Sequence, residues 1–191
     1  MPLPVPDLHD DAVALRPPEP GDVAAITAAV QDPDISRFTM VPSPYGEADA
    51  VAYVTSSQAA WRDASRVSFV IVERGPGTLV GSVGIHQVDW EAQAAEIGYW
   101  VAAAARGAGV ATRALRLAAG WALGDLGLRR LEALVFTDNP RSRRVAERAG
   151  FVNTGVARAR VEHRSVRRDA FVLVRAADGV GVDAVGDSPG R

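Results

Sequence analysis

Residues 94–122 constrain this chain more than any other stretch. Ala95-Glu96-Ile97-Gly98-Tyr99-Trp100-Val101 alternates Ile97, Tyr99 and Val101 with Glu96, Gly98 and Trp100. That is the period of a β-strand, with aromatic and β-branched side chains that suit one. Arg106-Gly107-Ala108-Gly109-Val110-Ala111-Thr112 follows, after which Val110, Ala114, Leu117, Ala118, Trp121 and Ala122 recur at helical spacing. A strand that enters a glycine turn and then a helix gathers free backbone N–H groups around one point. Such a point suits a phosphate or pyrophosphate.

Several readings of the turn compete. A nucleotide P-loop needs a lysine after its glycines, and this chain contains no lysine. A dinucleotide fingerprint ends on Gly or Ala, whereas Gly107-x-Gly109-x-x-Thr112 ends on threonine. A glycine-opened helix with a purely steric reason is a further reading. The pattern that remains is Arg/Gln-x-x-Gly-x-Gly/Ala, met by Arg106 to Ala111.

In chain order, Val13–Arg16 reads as a first strand stopped by Pro17-Pro18. Asp22 is an N-cap candidate for a helix over Val23 to Val30, which Pro33 ends. Pro42 to Gly46 is a loop, and residues 47–63 form a second amphipathic helix. Val67–Glu73 and Leu79–Val88 read as strands about a turn at Arg74-Gly75-Pro76-Gly77, and residues 94–101 as a third. The helix from the glycine turn runs to about Leu126. Arg130–Thr137 is a strand, Asn139 caps a short helix with Pro140 at its first position, and Gly150 closes it. Phe151–Ala157 and Asp169–Arg175 form a final hairpin. This order predicts a mixed α/β sheet with helices on both faces, its parallel contacts lying within residues 94–137. One domain is expected over residues 13–175, with an extension over 1–12 and a disordered tail over 176–191.

Composition narrows the chemistry. Without cysteine there are no disulfides, thiolate metal sites or cysteine nucleophiles, and His9, His86 and His163 are too scattered to suggest a metal. The start carries prolines and acids where a signal peptide needs a basic and then an apolar run, and no stretch has the length of a membrane span. A cytoplasmic protein without a membrane partner is the expectation. Residues 1–65 hold ten acids against three arginines, and residues 129–175 twelve arginines against five acids. The basic half lacks interleaved aromatics, which argues against nucleic acid.

The turn, with Glu96-Ile-Gly-Tyr-Trp-Val101 before it, resembles the coenzyme A loop of the GNAT superfamily of N-acetyltransferases. Leu15-Arg-Pro-Pro-Glu-Pro-Gly-Asp22 is similar to the first strand and helix entry of the ribosomal-protein N-terminal acetyltransferase branch. Asn139-Pro-Arg-Ser142, then Val145-Ala-Glu-Arg-Ala-Gly150-Phe151, resembles that branch's Asn-x-x-Ser … Gly-Phe motif, and Gly155 with Arg167-Arg168-Asp169 fits its last hairpin. The resemblance covers roughly residues 13–175. It implies a GNAT fold: a mixed, mostly antiparallel sheet of six to seven strands with a central splayed parallel pair.

It also implies acetyl transfer from acetyl-CoA, as co-substrate and without a metal, to a primary amine. The amine is a protein N-terminal α-amine or a small amine, which attacks directly in a ternary complex. The N–H groups of Gly107, Ala108, Gly109, Val110 and Ala111, with Thr112 in the same turn, would hold the pyrophosphate, and Arg106 would add charge. The Val101 N–H is the oxyanion donor expected, and the family's splay would leave it free. Asn139 would serve both as a cap and near the pantetheine. Arg141, Arg143 and Arg144 would reach the phosphates of the coenzyme's ADP end.

For the base, Glu96 shares a strand face with Gly98 and Trp100, where an acid among apolar neighbours has a raised pKa. His86 on the preceding strand is the alternative. Many GNAT enzymes place a tyrosine in the helix after the Asn-x-x motif, and counting from Asn139 it falls at Ala146. Ser142 would then orient and stabilise the leaving thiolate. The missing tyrosine leaves open a non-catalytic acyl-CoA-binding or regulatory module. Acids in the N-terminal helices, which flank the acceptor groove in this fold, make a cationic acceptor attractive. A homodimer is compatible with the sequence.

Overall fold

The computed structural model describes residues 3–182. Eight strands form one sheet: β1 (Leu8–His9), β2 (Val13–Arg16), β3 (Val67–Glu73), β4 (Leu79–Asp89), β5 (Ala94–Val101), β6 (Arg130–Phe136), β7 (Val152–His163) and β8 (Val166–Ala176). Their order is β1-β2-β3-β4-β5-β6-β8-β7, and every neighbouring pair is antiparallel except the parallel pair β5 and β6. The expected mixed sheet with a central parallel pair is therefore present, with one strand more than the six to seven foreseen. A short edge strand at Leu8–His9, paired with Leu15 and Ala14, falls within the first twelve residues.

The helices are α1 (Val23–Ala29), α2 (Pro33–Phe38), α3 (Glu47–Asp63), α4 (Val110–Leu123) and α5 (Pro140–Arg148). Strand alternation sorts the core in two. Phe69, Ile71, Val83, Ile85, Ile97, Leu131 and Ala133 form one cluster with Ala114, Leu115 and Ala118 of α4 and Ala146 of α5. Val70 forms the other with Ile26 of α1, Ile35 of α2 and Val54 of α3. Trp61, near the end of α3, belongs to the larger cluster, stacking at 6.3 Å on Trp121 with the Phe69 edge against both rings.

Three local differences from the sequence reading have physical causes. Pro33 does not only end α1. It opens α2, because a proline at a helix start loses no hydrogen bond, and the Asp32 side chain caps that start by accepting from Asp34 N at 2.9 Å. The final hairpin is longer than expected, since its outer parts carry charges and pair through the backbone without burying apolar faces. Arg164 and Ser165 turn its tip, both at positive φ. At the tail, Ala176 still pairs with Arg130 and Ala177 N donates to Arg129 O at 3.0 Å. Residues 183–191 of the expected disordered tail lie outside the described residues.

Candidate active site

The site begins where the parallel pair stops. β5 and β6 are paired only through Ala94, Ala95 and Glu96 against Arg130, Leu131 and Glu132. Beyond them β5 stays with β4 as far as Val101, while β6 stays with β8 as far as Phe136, so a wedge opens between the two strands. Ala102 N donates to Val80 O at 2.8 Å. Hydrogen-bonded pairs alternate along an antiparallel ladder, so Trp100 and Gly98 also turn their backbone groups toward β4. Tyr99 and Val101 then turn theirs toward β6, into the wedge. Val101 O is taken up by Arg106 Nε at 3.1 Å, while the Val101 N–H faces the opening.

Two cavities meet in the wedge, one from each face of the sheet, and Phe38, Thr39, Tyr99, Trp100 and Ser142 line both. The first, of ≈ 790 Å³, lies on the α4 and α5 side. Gly107, Gly109, Val110, Ala111 and Thr112 line it; Ala108 of the same run does not. Gly107 and Gly109 have φ of 87° and 80°, the left-handed region that glycine enters without strain. No protein atom lies within 4 Å of a Cβ built at either, so the space in front of the turn is open. No side chain caps α4, which leaves its first N–H groups directed at that space.

Arg106 does not face this space with a free charge. Its guanidinium pairs with Asp32 at 2.6 Å and Asp34 at 3.5 Å, tying α2 to the end of β5. Asn139 accepts from Ser142 N at 3.1 Å and so caps α5. Arg141 and Arg144 line the cavity and are exposed, and neither makes an ion pair among the described residues. Arg148, which sequence reasoning missed, does the same. Arg143 turns away, pairing with Glu147 at 2.8 Å and lying 4.6 Å over the Phe171 ring.

Tyr99 was also missed as a functional group. Its hydroxyl lies 2.8 Å from Ser142 Oγ and donates to the Ser142 carbonyl at 2.9 Å. Burial pushes its pKa up to about 12, against the opposing pull of the Ser142 contact. Its signal in the sequence is a hydroxyl on the strand face otherwise occupied by Ile97 and Val101. Ala146 is fully buried in the core under α5, so no large side chain fits there.

The second cavity, of ≈ 680 Å³, lies on the other face, beneath α1, α2 and α3. Glu96 and His86 stand on its floor as cross-strand partners, with Glu96 Oε2 3.6 Å from His86 Nε2. Burial raises the Glu96 pKa, Glu132 adding to the rise and Arg160 opposing it. Burial also lowers that of His86, and Arg66 adds to the fall. A Cβ on Gly98 would come to 3.3 Å from His86 Cε1, so glycine there leaves the ring its place beside the wedge. The two base candidates thus form one unit.

The acids of the N-terminal region are largely committed elsewhere. Asp10 and Asp11 pair with Arg113, Asp22 with Arg16, and Asp32 and Asp34 with Arg106. Asp49 accepts from Gly46 N at 2.8 Å. Among them only Asp49 lines the second cavity.

A wedge in a parallel pair, a helix start aimed into it and a carboxylate behind it define an acyltransferase class. Residues 13–152 match the family described as the acetyltransferase (GNAT) domain, and the chain belongs to that family of N-acetyltransferases. It is 28% identical over 153 residues to the uncharacterized N-acetyltransferase YoaA of Bacillus subtilis, covering 80% of this chain and 86% of YoaA. Mycobacterium smegmatis RimJ, solved with CoA-disulfide, superposes with a TM-score of 0.81 at 26% identity over 94% of this chain and 90% of RimJ. The ribosomal-protein-S5-alanine acetyltransferase of Vibrio fischeri has a TM-score of 0.81 at 17% identity, over 91% of this chain and 98% of that one, and shares the fold. No helix among the described residues is long and apolar enough to cross a membrane, and no group of three or more potential metal ligands occurs among them.

Proposed function

We propose that the chain transfers the acetyl group of acetyl-CoA to a primary amine, the two substrates entering the wedge from opposite faces of the sheet. The observation that carries this is the meeting of the two cavities at Tyr99 and Ser142, beside backbone groups that have no strand partner. The coenzyme's pyrophosphate sits on the N–H groups of Gly107 to Thr112. Its amide chain adds to β5 in the manner of a further strand, and Arg141, Arg144 and Arg148 face its phosphates. The CoA-disulfide bound by RimJ supports this choice of ligand.

Glu96, with His86 beside it, takes a proton from the ammonium through water. The amine nitrogen then attacks the thioester carbonyl carbon, forming the C–N bond, and the Val101 N–H holds the oxyanion. Collapse breaks the C–S bond. The thiolate accepts a hydrogen bond from Ser142 Oγ once the Tyr99 hydroxyl turns its one proton from the Ser142 carbonyl to that Oγ. The thiolate takes up the proton that the amide nitrogen sheds. Tyr99 keeps its own proton throughout, since its pKa lies near 12.

The test is thiol release from acetyl-CoA over a panel of N-terminal peptides and small amines, run beside a binding isotherm for acetyl-CoA. Binding with amine-dependent release supports the reading. Binding without release on any amine of the panel favours a non-catalytic coenzyme-binding module or an acceptor outside the panel. Absence of binding at saturating acetyl-CoA overturns the reading of the glycine turn.

A further inference from the structure

The second cavity is lined by Arg66, one residue before β3, by His86 of β4 and by Glu96 of β5. Ile85 faces both Val67 and Ile97, so the neighbours Arg66, His86 and Glu96 stand side by side, and Glu132 continues the row on β6. Glu132 is matched by Arg130 at 2.8 Å. Arg66 is unmatched. It makes no ion pair among the described residues, its Nη2 donates to Ser56 Oγ at 3.0 Å, and its Nε is buried with no hydrogen-bond partner. A guanidinium that lines a cavity without a carboxylate partner takes an anion best.

The rest of the cavity sets the remaining chemistry. Apart from Glu96, the only carboxylate that lines it among the described residues is Asp49, which accepts from Gly46 N. Phe38, Met40, Val41, Tyr45 and Trp100 supply broad apolar walls. Asp49 stands two turns of α3 before Ser56, which holds Arg66, so a second ammonium at the Arg66 end would meet apolar surface and a guanidinium.

Resting on the acetyl-transfer reading above, we infer that the acceptor is a primary amine with an apolar body and one anionic group, its anion held by Arg66 while its amine faces Glu96. Arg66 and Glu96 stand two strand widths apart, about 10 Å between their backbones. That separation suits an apolar dipeptide with a free C-terminal carboxylate, or a longer peptide with an acid beyond its first apolar residue. A polyamine does not fit it.

The test compares Leu-Gly, Leu-Gly-amide, Leu-Glu-Gly-amide and spermidine as acceptors, on the native chain and on Arg66→Gln. On the native chain an anionic acceptor should have the higher kcat/KM, and whether Leu-Gly or Leu-Glu-Gly-amide leads identifies the source of the anion. In Arg66→Gln the KM for the preferred anionic acceptor should rise about ten-fold, the size of one lost charge-assisted contact. The KM values for Leu-Gly-amide and acetyl-CoA should stay within about two-fold, since the neutral carboxamide offers Arg66 no charge and acetyl-CoA lies on the other face of the sheet. Equal use of Leu-Gly and its amide with no advantage for Leu-Glu-Gly-amide, preference for spermidine, or equal losses on all acceptors in the variant would overturn the inference.

Titration calorimetry of the same peptides with the native chain in the presence of CoA reads Arg66 without turnover. Tighter binding of an anionic peptide than of Leu-Gly-amide supports the anion site even if no thiol is released, an outcome that would sink only the transfer reading. Equal or absent binding overturns the anion site. Should Arg66→Gln not fold, Arg66→Lys replaces it, with a smaller rise in the same KM as the expected result and none as the contrary one.

Discussion

Tyr99 and Ser142 share a hydroxyl–hydroxyl contact of 2.8 Å that joins strand β5 to the start of helix α5 across the wedge. In the acetyl transfer proposed above, removing the Tyr99 hydroxyl would leave Ser142 to hold the departing sulfur alone. Tyr99→Phe and Ser142→Ala should each lower kcat about ten-fold, with the KM for acetyl-CoA little changed. If the two act as a unit, the double variant is no slower than the worse single one. Additive losses would show two independent roles.

Glu96→Gln should lower kcat about 100-fold, the usual scale of general base catalysis. On the native chain, activity should fall as pH drops through the raised Glu96 pKa, because the base form is lost. That limb should vanish in the variant. Stability moves the other way. The folded pKa lies above the unfolded one, so the folded state binds more protons in that window and loses stability as pH rises through it. Glu96→Gln should therefore be at least as stable as the native chain at neutral pH, measured by urea unfolding.

Arg106 ties Asp32 and Asp34 of α2 to the end of β5, and α2 contributes Phe38 to both cavities. On the opposite side, His163 Nε2 lies 3.1 Å from the carbonyls of Ser36 and Thr39. Arg106→Ala should cost about 1–2 kcal/mol, since it strands the half-buried Asp32. Proteolysis near residues 32–39 should quicken, with a lower melting temperature. An unchanged protease pattern would contradict the tether.

Ala146→Tyr restores the residue of the commoner family pattern but forces a large side chain into a fully buried site. It should destabilise the fold by about 1–3 kcal/mol or more and give no gain in kcat. A faster, stable variant would show that the core yields and that a tyrosine from α5 can reach the sulfur.

What was legible in the sequence was what local chemistry decides. Alternation from Ala95 to Val101, the glycines at 107 and 109, and Asn139 before Pro140 each state their own conformation, and each is found in place. Helix α2 was hidden because Pro33 reads equally as an end and as a first position. The outer half of the last hairpin was hidden because it is mostly charged, and the side chains that do bury there, His163 and Arg168 against Phe136, follow no apolar period.

The functional assignment of side chains divides along the same line. Glu96 and Ser142 could be put forward as candidates from motif and face alone, and both line the cavities at the wedge. The partner of each charge could not, because ion pairs form between segments far apart in the chain. Arg106 finds Asp32, while Arg66 finds no carboxylate among the described residues. The Tyr99 hydroxyl meets Ser142 only because β5 and the start of α5 come together across the wedge. Periodicity and backbone preference act over a few residues, so the sequence by itself determined the elements and their order. The divergence of β5 from β6, and with it the meeting of two cavities, depends on which strands each prefers beyond Glu96. Only the tertiary structure decided that.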